Sequence, residues 1–183
     1  MNNNINTNGL AWIFFPGLVS KERCEEILNL EDSQEWKTGK IYGGLDTTHR
    51  DCDTKYTNNN DLIKEVFSIL DAANSHCKWN FSIQGVEDIQ LTKYTKNQHY
   101  DWHNDGNGIN TDCNGLSRKL SMSILLNDDY EGGDFEIWGD KVVNSKETGT
   151  AIVFPSYFNH RVQPITKGIR YSLVAWFSGP PLV

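Results

Sequence analysis

The order of apolar and polar residues divides the chain into a first part with two helices and a β-rich second part. Residues 10–15 form an unbroken apolar run that a Pro-Gly pair ends, which predicts a buried strand. Ser20 is a typical N-cap for a first helix that ends near residue 30. Apolar residues at helical spacing predict a second helix, capped by Asn60 or Asp61 and ending near residue 74.

The second part consists of short apolar runs separated by Gly, Asn and Asp. The predicted strands cover residues 86–94, 120–126, 135–138, 141–143, 150–154, 161–164 and 170–177. Many short strands behind two helices predict an α+β fold that is mainly β, a double-stranded β-helix (jelly roll) with supporting N-terminal helices. We expect one domain over residues 1–183, with residues 1–8 flexible and residues 86–179 forming the jelly-roll core.

One face of the last predicted strand mixes a charged, a polar and two large apolar residues. Side chains alternate along a strand, so Arg170, Ser172, Val174 and Trp176 share one side. A buried guanidinium is costly without an anion, and a solvent face would expose the valine and the tryptophan. This face is therefore more simply explained as the wall of a ligand pocket.

Composition and charge exclude several classes of function. The chain of 183 residues carries 17 basic and 24 acidic residues, a net charge of −7, so no basic surface for nucleic acid is expected. We find no apolar run long enough to span a membrane and no signal-peptide pattern, and expect a soluble, cytoplasmic protein. Its four cysteines are far apart and are expected to be free thiols. The oligomeric state does not follow from the sequence.

One polar segment carries candidate metal ligands. His103 and Asp105 project to the same side of an extended segment and can share one metal ion. A third ligand, His160, ends a β-rich run near the C-terminus. Two histidines and one carboxylate form the facial triad of non-haem Fe(II) oxygenases, which leaves coordination positions open for a co-substrate and O2.

A co-substrate that chelates iron as a 2-oxo acid also has a distal carboxylate. Arg170 offers a planar, two-pronged donor for that group, the hydroxyl of Ser172 suits the same task, and Tyr94 is a further donor. In contrast, His49, His76 and His99 have no partner at ligand spacing.

An ordered set of motifs extends this interpretation. The motifs are Tyr94 followed by His103-x-Asp105, residues 118–127, Tyr130-Glu131-Gly132-Gly133-Asp134-Phe135, Phe154-Pro155-Ser156 to His160-Arg161-Val162, and Arg170-x-Ser172 with Trp176. Together they resemble the 2-oxoglutarate- and Fe(II)-dependent oxygenases, and within them the prolyl 4-hydroxylase-type catalytic domains. The resemblance covers about residues 86–179. One departure is Asn97, which stands where the family's Tyr-x-x-Gly-x-x-Tyr pattern has glycine; Asn also tolerates left-handed backbone.

The resemblance implies an enzyme that decarboxylates 2-oxoglutarate to succinate and CO2 and hydroxylates an amino-acid side chain. The implied substrate is most simply a prolyl residue in a peptide or protein. Fe(II) would be bound by His103, Asp105 and His160; Arg170 would pair with 2-oxoglutarate, assisted by Tyr94 and Ser172. Ascorbate is implied as a supporting reductant.

Other functions remain open at this point. The chain could act on a free amino acid or another small molecule, or be a jelly-roll binding module without turnover, although a decayed copy would be expected to have lost a ligand. A Zn(II) hydrolase would leave Arg170 and Ser172 without a purpose. Oxidative demethylation of nucleic acid is disfavoured by the acidic balance.

For two sets of residues the sequence is compatible with either a substrate contact or a structural role. Residues 39–60 are predicted to form either a substrate-covering loop, with Arg50 as a contact, or a solvated connector. The aromatic residues Tyr100, Trp102 and Trp138 line the substrate cavity or serve as packing.

Overall fold

The structure is a computed structural model that describes residues 11–30, 34–40, 44–138, 141–142 and 146–182. Within these ranges, helix α1 spans Lys21–Leu28 and helix α2 spans Asn60–His76. The segment 1–8, for which flexibility was predicted, lies outside the described residues. In the described part of the chain, no helix is long and apolar enough to cross a membrane.

The helix starts follow their capping chemistry. The Ser20 hydroxyl accepts a hydrogen bond from the Arg23 backbone N–H at 3.2 Å, as predicted. The cap of α2 is Asn59 rather than Asn60 or Asp61, because its side-chain oxygen accepts from the N–H groups of Asp61 and Leu62, each at 3.1 Å. The helix also continues to His76, two residues beyond the predicted end.

The strands are numbered in chain order. They are β1 (Ile13–Phe15), β2 (Lys37–Thr38), β3 (Arg50–Asp51), β4 (Asp53–Thr57), β5 (Gly85–Val86), β6 (Ile89–Tyr94), β7 (His99–His103), β8 (Ser117–Leu125), β9 (Glu131–Gly132), β10 (Phe135–Ile137), β11 (Lys141–Val142), β12 (Ala151–Pro155), β13 (His160–Val162), β14 (Ile165–Lys167) and β15 (Arg170–Gly179). The predicted strand at 141–143 is present as far as 142; residue 143 lies outside the described residues.

Two antiparallel sheets make up the jelly roll that was predicted. The major sheet has the order β1-β12-β8-β15-β6-β4-β2, with β5 pairing with β15, and the minor sheet has the order β11-β10-β13-β7-β3. A small third sheet pairs β14 with β9. Strand β4 was not predicted, because its sequence Asp-Thr-Lys-Tyr-Thr is polar. It is a strand because it pairs with β6 along its whole length.

The apolar core lies between the helices and one face of the major sheet. Leu173, Ala175 and Phe177 on β15 are fully buried there, as their alternation predicted. They belong to one cluster with Ile27 of α1 and Leu62 of α2. The helices therefore cover one face of the sheet and leave its other face to the minor sheet.

The cysteines are free, as expected. Cys24, Cys52 and Cys77 are buried, and Cys113 is exposed. Burial raises the pKa of Cys24 to about 11, so this thiol is neutral near pH 7.

We predict that Leu173→Ala lowers the free energy of unfolding by roughly 2–5 kcal/mol, because it removes a fully buried side chain from the centre of the core. Urea unfolding of the purified protein measures this loss. The matched control is Leu18→Ala, since Leu18 is 48% exposed and its loss should change stability by about 0.5 kcal/mol or less. Equal losses in the two variants would contradict this account of the core.

Candidate active site

The pairing of β13 with β7 brings the three predicted metal ligands together. His103 ends β7, His160 begins β13, and the two residues are direct partners in the register. One ligand atom from each of His103, Asp105 and His160 lies within 4.8 Å of the others. Asp105 Oδ1 is 3.8 Å from His103 Nε2, and Asp105 Oδ2 is 3.6 Å from His160 Nε2. This cluster has the composition and size of a metal site.

The backbone fixes which nitrogen of each imidazole faces the cluster. His103 Nδ1 lies 2.7 Å from the Asp101 carbonyl oxygen, and His160 Nδ1 lies 3.0 Å from the Phe158 carbonyl oxygen. A carbonyl only accepts, so each Nδ1 carries the proton and donates it. The lone pair of each Nε2 is therefore free to bind a metal ion, the arrangement usual for metal-ligating histidine.

Charge at this cluster also favours a cation. Burial, together with the neighbouring His160, lowers the pKa of His103 to about 3, so its imidazole is neutral near pH 7. Burial opposes ionisation of Asp105, but His160, His103 and a hydrogen bond with Ser121 outweigh it and lower the pKa of this carboxyl. A neutral imidazole and an ionised carboxylate are the protonation states that coordinate metals.

The residues predicted to bind the co-substrate lie together on the major sheet and line the same cavity as the three candidate metal ligands. Arg170 and Tyr94 are direct partners between β15 and β6, and both are buried. Arg170 Nη1 donates to the Ser172 hydroxyl at 3.0 Å, whereas its buried Nε has no hydrogen-bond partner in the described part of the chain. Within the described residues, no carboxylate lies within ion-pair distance of this guanidinium. Burial raises the pKa of Tyr94, which keeps its hydroxyl protonated and able to donate.

One cavity of about 1180 Å³ contains both groups of residues. Its wall includes the three candidate ligands together with Tyr94, Arg170 and Ser172. Val174 and Trp176 also line it, so the polar face of β15 forms a pocket wall as the alternation predicted. The buried Trp176 indole N–H has no hydrogen-bond partner among the residues that the structure describes, which leaves a second donor on this wall for a ligand.

Of the three aromatic residues predicted either to line the cavity or to serve as packing, one lines the cavity and two pack elsewhere. Tyr100 lines the cavity and stacks on His103, with ring centroids 3.4 Å apart. Trp102 instead packs under Arg161, and Trp138 is 58% exposed and packs on Phe158. Asn97 adopts the left-handed backbone that glycine has in the family pattern, with φ at 70°.

Sequence reasoning gave no role to Arg118, which lines the same cavity. Its guanidinium lies over the Trp176 ring at 4.3 Å, pairs with Glu87 through two contacts of 2.6 Å, and donates to the Asp105 carbonyl at 3.1 Å. Ser156, which follows β12, accepts from the Asp105 N–H and donates to the Lys119 carbonyl. The position of Arg118 beside Asp105 depends on these contacts, for which the local sequence at the start of β8 has no signal.

Comparison with known proteins explains this constellation. Residues 89–178 match the family model described as the 2OG-Fe(II) oxygenase superfamily. The chain is 28% identical over 173 residues to a PKHD-type hydroxylase from Synechococcus sp. (strain CC9311), covering 87% of this chain and 74% of that protein. The chain belongs to the 2OG-Fe(II) oxygenase superfamily. It is a 2-oxoglutarate-dependent dioxygenase of the prolyl 4-hydroxylase-like family, and it uses Fe(II), 2-oxoglutarate and O2.

Solved structures share the fold of this oxygenase. The 2OG complex of a viral collagen prolyl hydroxylase from Paramecium Bursaria Chlorella virus-1 superposes with a TM-score of 0.72 at 18% identity, covering 95% of this chain and 99% of that chain. A prolyl hydroxylase from Trichoplax adhaerens, in complex with a hypoxia inducible factor peptide fragment, gives 0.67 at 20% identity, covering 96% and 86%. These neighbours confirm the predicted jelly-roll fold.

We predict that acidification destabilises the metal-free oxygenase in part through His103. The pKa of His103 is about 3 in the folded protein against 6.5 as its ordinary value, so the unfolded state binds more protons between these two values. The stability that this difference contributes is fully present above pH 6.5 and declines as the pH falls towards 3.

Urea unfolding of the metal-free protein at pH 7, 6 and 5 measures this dependence. The variant His103→Gln should lose less stability across this range than the unaltered protein, because glutamine does not titrate. Identical pH dependence in both proteins would contradict the assignment.

Proposed function

We propose that this oxygenase hydroxylates a prolyl residue in a peptide or protein, with Fe(II) bound by His103, Asp105 and His160. The observation that carries the proposal is one cavity that joins this cluster to the buried guanidinium of Arg170. The two imidazoles present Nε2 lone pairs, and Asp105 supplies a negative charge. Together these three residues would hold the ion and leave coordination positions open for a co-substrate.

The distal carboxylate of 2-oxoglutarate is proposed to bind Arg170. The unpartnered Nε and the absence of a nearby carboxylate in the described structure leave this buried cation in need of an anion. Ser172 Oγ accepts from Arg170 and thereby orients it, and the Tyr94 hydroxyl adds a donor on the neighbouring strand. A dicarboxylate chelating the metal at one end would satisfy both the guanidinium and the metal ion.

When bound, Fe(II) supplies the redox chemistry that couples 2-oxoglutarate and O2 to C–H hydroxylation. The residues around the site hold the two imidazole ligands in place. The ring of Tyr100 covers one face of His103, and Phe154 packs edge-on against His160 at 4.7 Å between centroids. These contacts restrict both ligands to one ring orientation, which favours a fixed metal geometry.

A peptidyl substrate is supported by the shape of the site and by its relatives. The cavity is lined by the three candidate metal ligands and also by polar residues of the segment 104–112. These polar side chains offer hydrogen-bond partners to the backbone of an extended peptide. The solved neighbours named above are prolyl hydroxylases, one of them in complex with a peptide fragment. A free amino acid stays the second candidate, and succinate formation with each class separates the two.

The proposal treats residues 1–183 as one catalytic domain, with the site carried by the predicted core 86–179. It also places the enzyme in the cytoplasm. The free thiols of all four cysteines support a reducing compartment.

We predict that the Fe(II)-loaded enzyme, supplied with 2-oxoglutarate and O2, forms succinate faster when a proline-containing peptide is added. The same peptide should gain one oxygen atom on proline, measured by tandem mass spectrometry. His160→Ala should abolish both products and Mn(II) binding, because two remaining ligands hold a metal ion poorly. The control is His76→Ala, at the exposed end of α2 outside the cavity. Absence of succinate with every peptide and amino acid would overturn the proposal.

We predict that Arg170→Gln raises the KM for 2-oxoglutarate about tenfold or more, since it removes hydrogen bonds to a charged group. Mn(II) affinity should persist, because Arg170 is not a ligand. The matched control is Arg23→Gln, on helix α1 and outside the cavity, where the KM should not change. An unchanged KM in Arg170→Gln would assign the carboxylate to another residue.

A further inference from the structure

A second guanidinium on the cavity wall has no counter-ion among the described residues. Arg50 on β3 is 7% exposed and lines the cavity. Its three nitrogens donate to Cys52 Sγ at 3.2 Å, to the Lys40 carbonyl at 2.7 Å and to Gln90 Oε1 at 3.1 Å. None of these acceptors is a carboxylate. A buried cation held only by neutral acceptors is costly, so the site favours an anion.

The carboxylates nearest to Arg50 in sequence are engaged elsewhere. Asp51 accepts a hydrogen bond from the Gln98 amide at 3.0 Å, and Asp53 pairs with Lys93 at 2.9 Å. Within the described residues, no acidic side chain lies within ion-pair distance of Arg50. The positive charge of Arg50 is therefore available to an anionic ligand in the cavity.

Arg50 stands close to the proposed metal site but on a different wall from Arg170. Its guanidinium carbon lies 4.7 Å from the Tyr100 ring centroid, and that ring stacks on His103 at 3.4 Å. Arg50 pairs with Tyr100 in the minor sheet, whereas Arg170 pairs with Tyr94 in the major sheet. A group bound by Arg50 would thus lie about the length of one small residue away from the proposed metal site.

We propose that Arg50 binds a carboxylate of the substrate that becomes hydroxylated, so that the enzyme selects substrates with an acidic group beside the target residue. This inference rests on the proposed function and specifies its substrate class. Two sources share the required chemistry. One is an Asp or Glu side chain next to the proline, and the other is the terminal carboxylate of a peptide or of a free amino acid.

The donor geometry allows this role. A guanidinium has five N–H donors, and the three contacts of Arg50 leave two of them for a ligand. Gln90 Oε1 accepts from Arg50 and also from Tyr56 at 3.0 Å, which holds the guanidinium in one orientation. The two carboxylates of 2-oxoglutarate are already assigned, one to the metal and one to Arg170, so the remaining anion belongs to the other substrate.

Matched pairs of substrates test the inference on the unaltered enzyme. The pairs are proline peptides with Glu or Gln on either side of the proline, peptides that end in proline as the acid or the amide, and free proline against prolinamide. We expect one acidic member to have a kcat/KM about tenfold or more above that of its neutral twin. The pair that shows the preference identifies the source of the carboxylate. Equal values in every pair would overturn the inference while leaving the proposed function intact.

Variants separate substrate binding from a role in packing. Arg50→Gln should abolish the preference and raise the KM for the acidic substrate, and Arg50→Lys should restore part of it. The control Lys64→Gln removes an exposed cation on α2 and should keep the preference. If Arg50→Gln instead weakens binding of the co-substrate and leaves the KM for the acidic substrate unchanged, the inference is overturned. If Arg50→Gln does not fold, the substrate pairs and Arg50→Lys still decide the question. If no substrate yields succinate, the proposed function fails, and this inference fails with it.

Discussion

The pairing of β13 with β7 is the constraint on which the site depends. It sets His160 directly opposite His103, and the Asp105 N–H donates to the carbonyl of Ser156, at the start of the loop between β12 and β13, at 2.9 Å. Backbone hydrogen bonds thereby hold the neighbouring His103 and Asp105 together with the distant His160, with ligand atoms within 4.8 Å of one another. A slip of one residue would turn a ligand to the opposite face, so the register itself specifies the proposed metal site.

The major sheet separates two environments, an apolar core on one face and a cavity with polar and charged residues on the other. On β15, Leu173 and Phe177 pack into the apolar core, while Arg170 and Ser172 face the cavity. The core supplies the stability that holds a desolvated guanidinium beside unpartnered donors. Binding of the proposed co-substrate would relieve this unfavourable arrangement, and strained or electrostatically perturbed groups of this kind cluster at functional sites.

The strands that carry the two buried guanidinium groups differ in how they are built. Arg170 and its partner Tyr94 lie on long, fully paired strands in the middle of the major sheet. Arg50 lies on β3, a strand of two residues, and the cavity wall also includes irregular residues from 104–112. A shared co-substrate requires a rigid site, whereas specificity for the other substrate is commonly carried by short strands and loops.

Local sequence was sufficient wherever a single element decides the outcome. The alternation along β15 predicted both of its faces, the Ser20 cap and the two helices followed from side-chain chemistry, and the spacing of His103 and Asp105 placed both on one side. The ordered motifs also predicted the family and the fold.

Tertiary structure alone decided which distant groups meet. The polar sequence of β4 is strand only because β6 provides a partner, and the placements of Arg118 beside Asp105 and of Arg50 against Tyr100 depend on strands far apart in the chain. Long-range register, burial and the loss of water around a charge are properties of the assembled sheets. Local periodicity contains no information about them, because it reports only which side of its own strand a residue occupies.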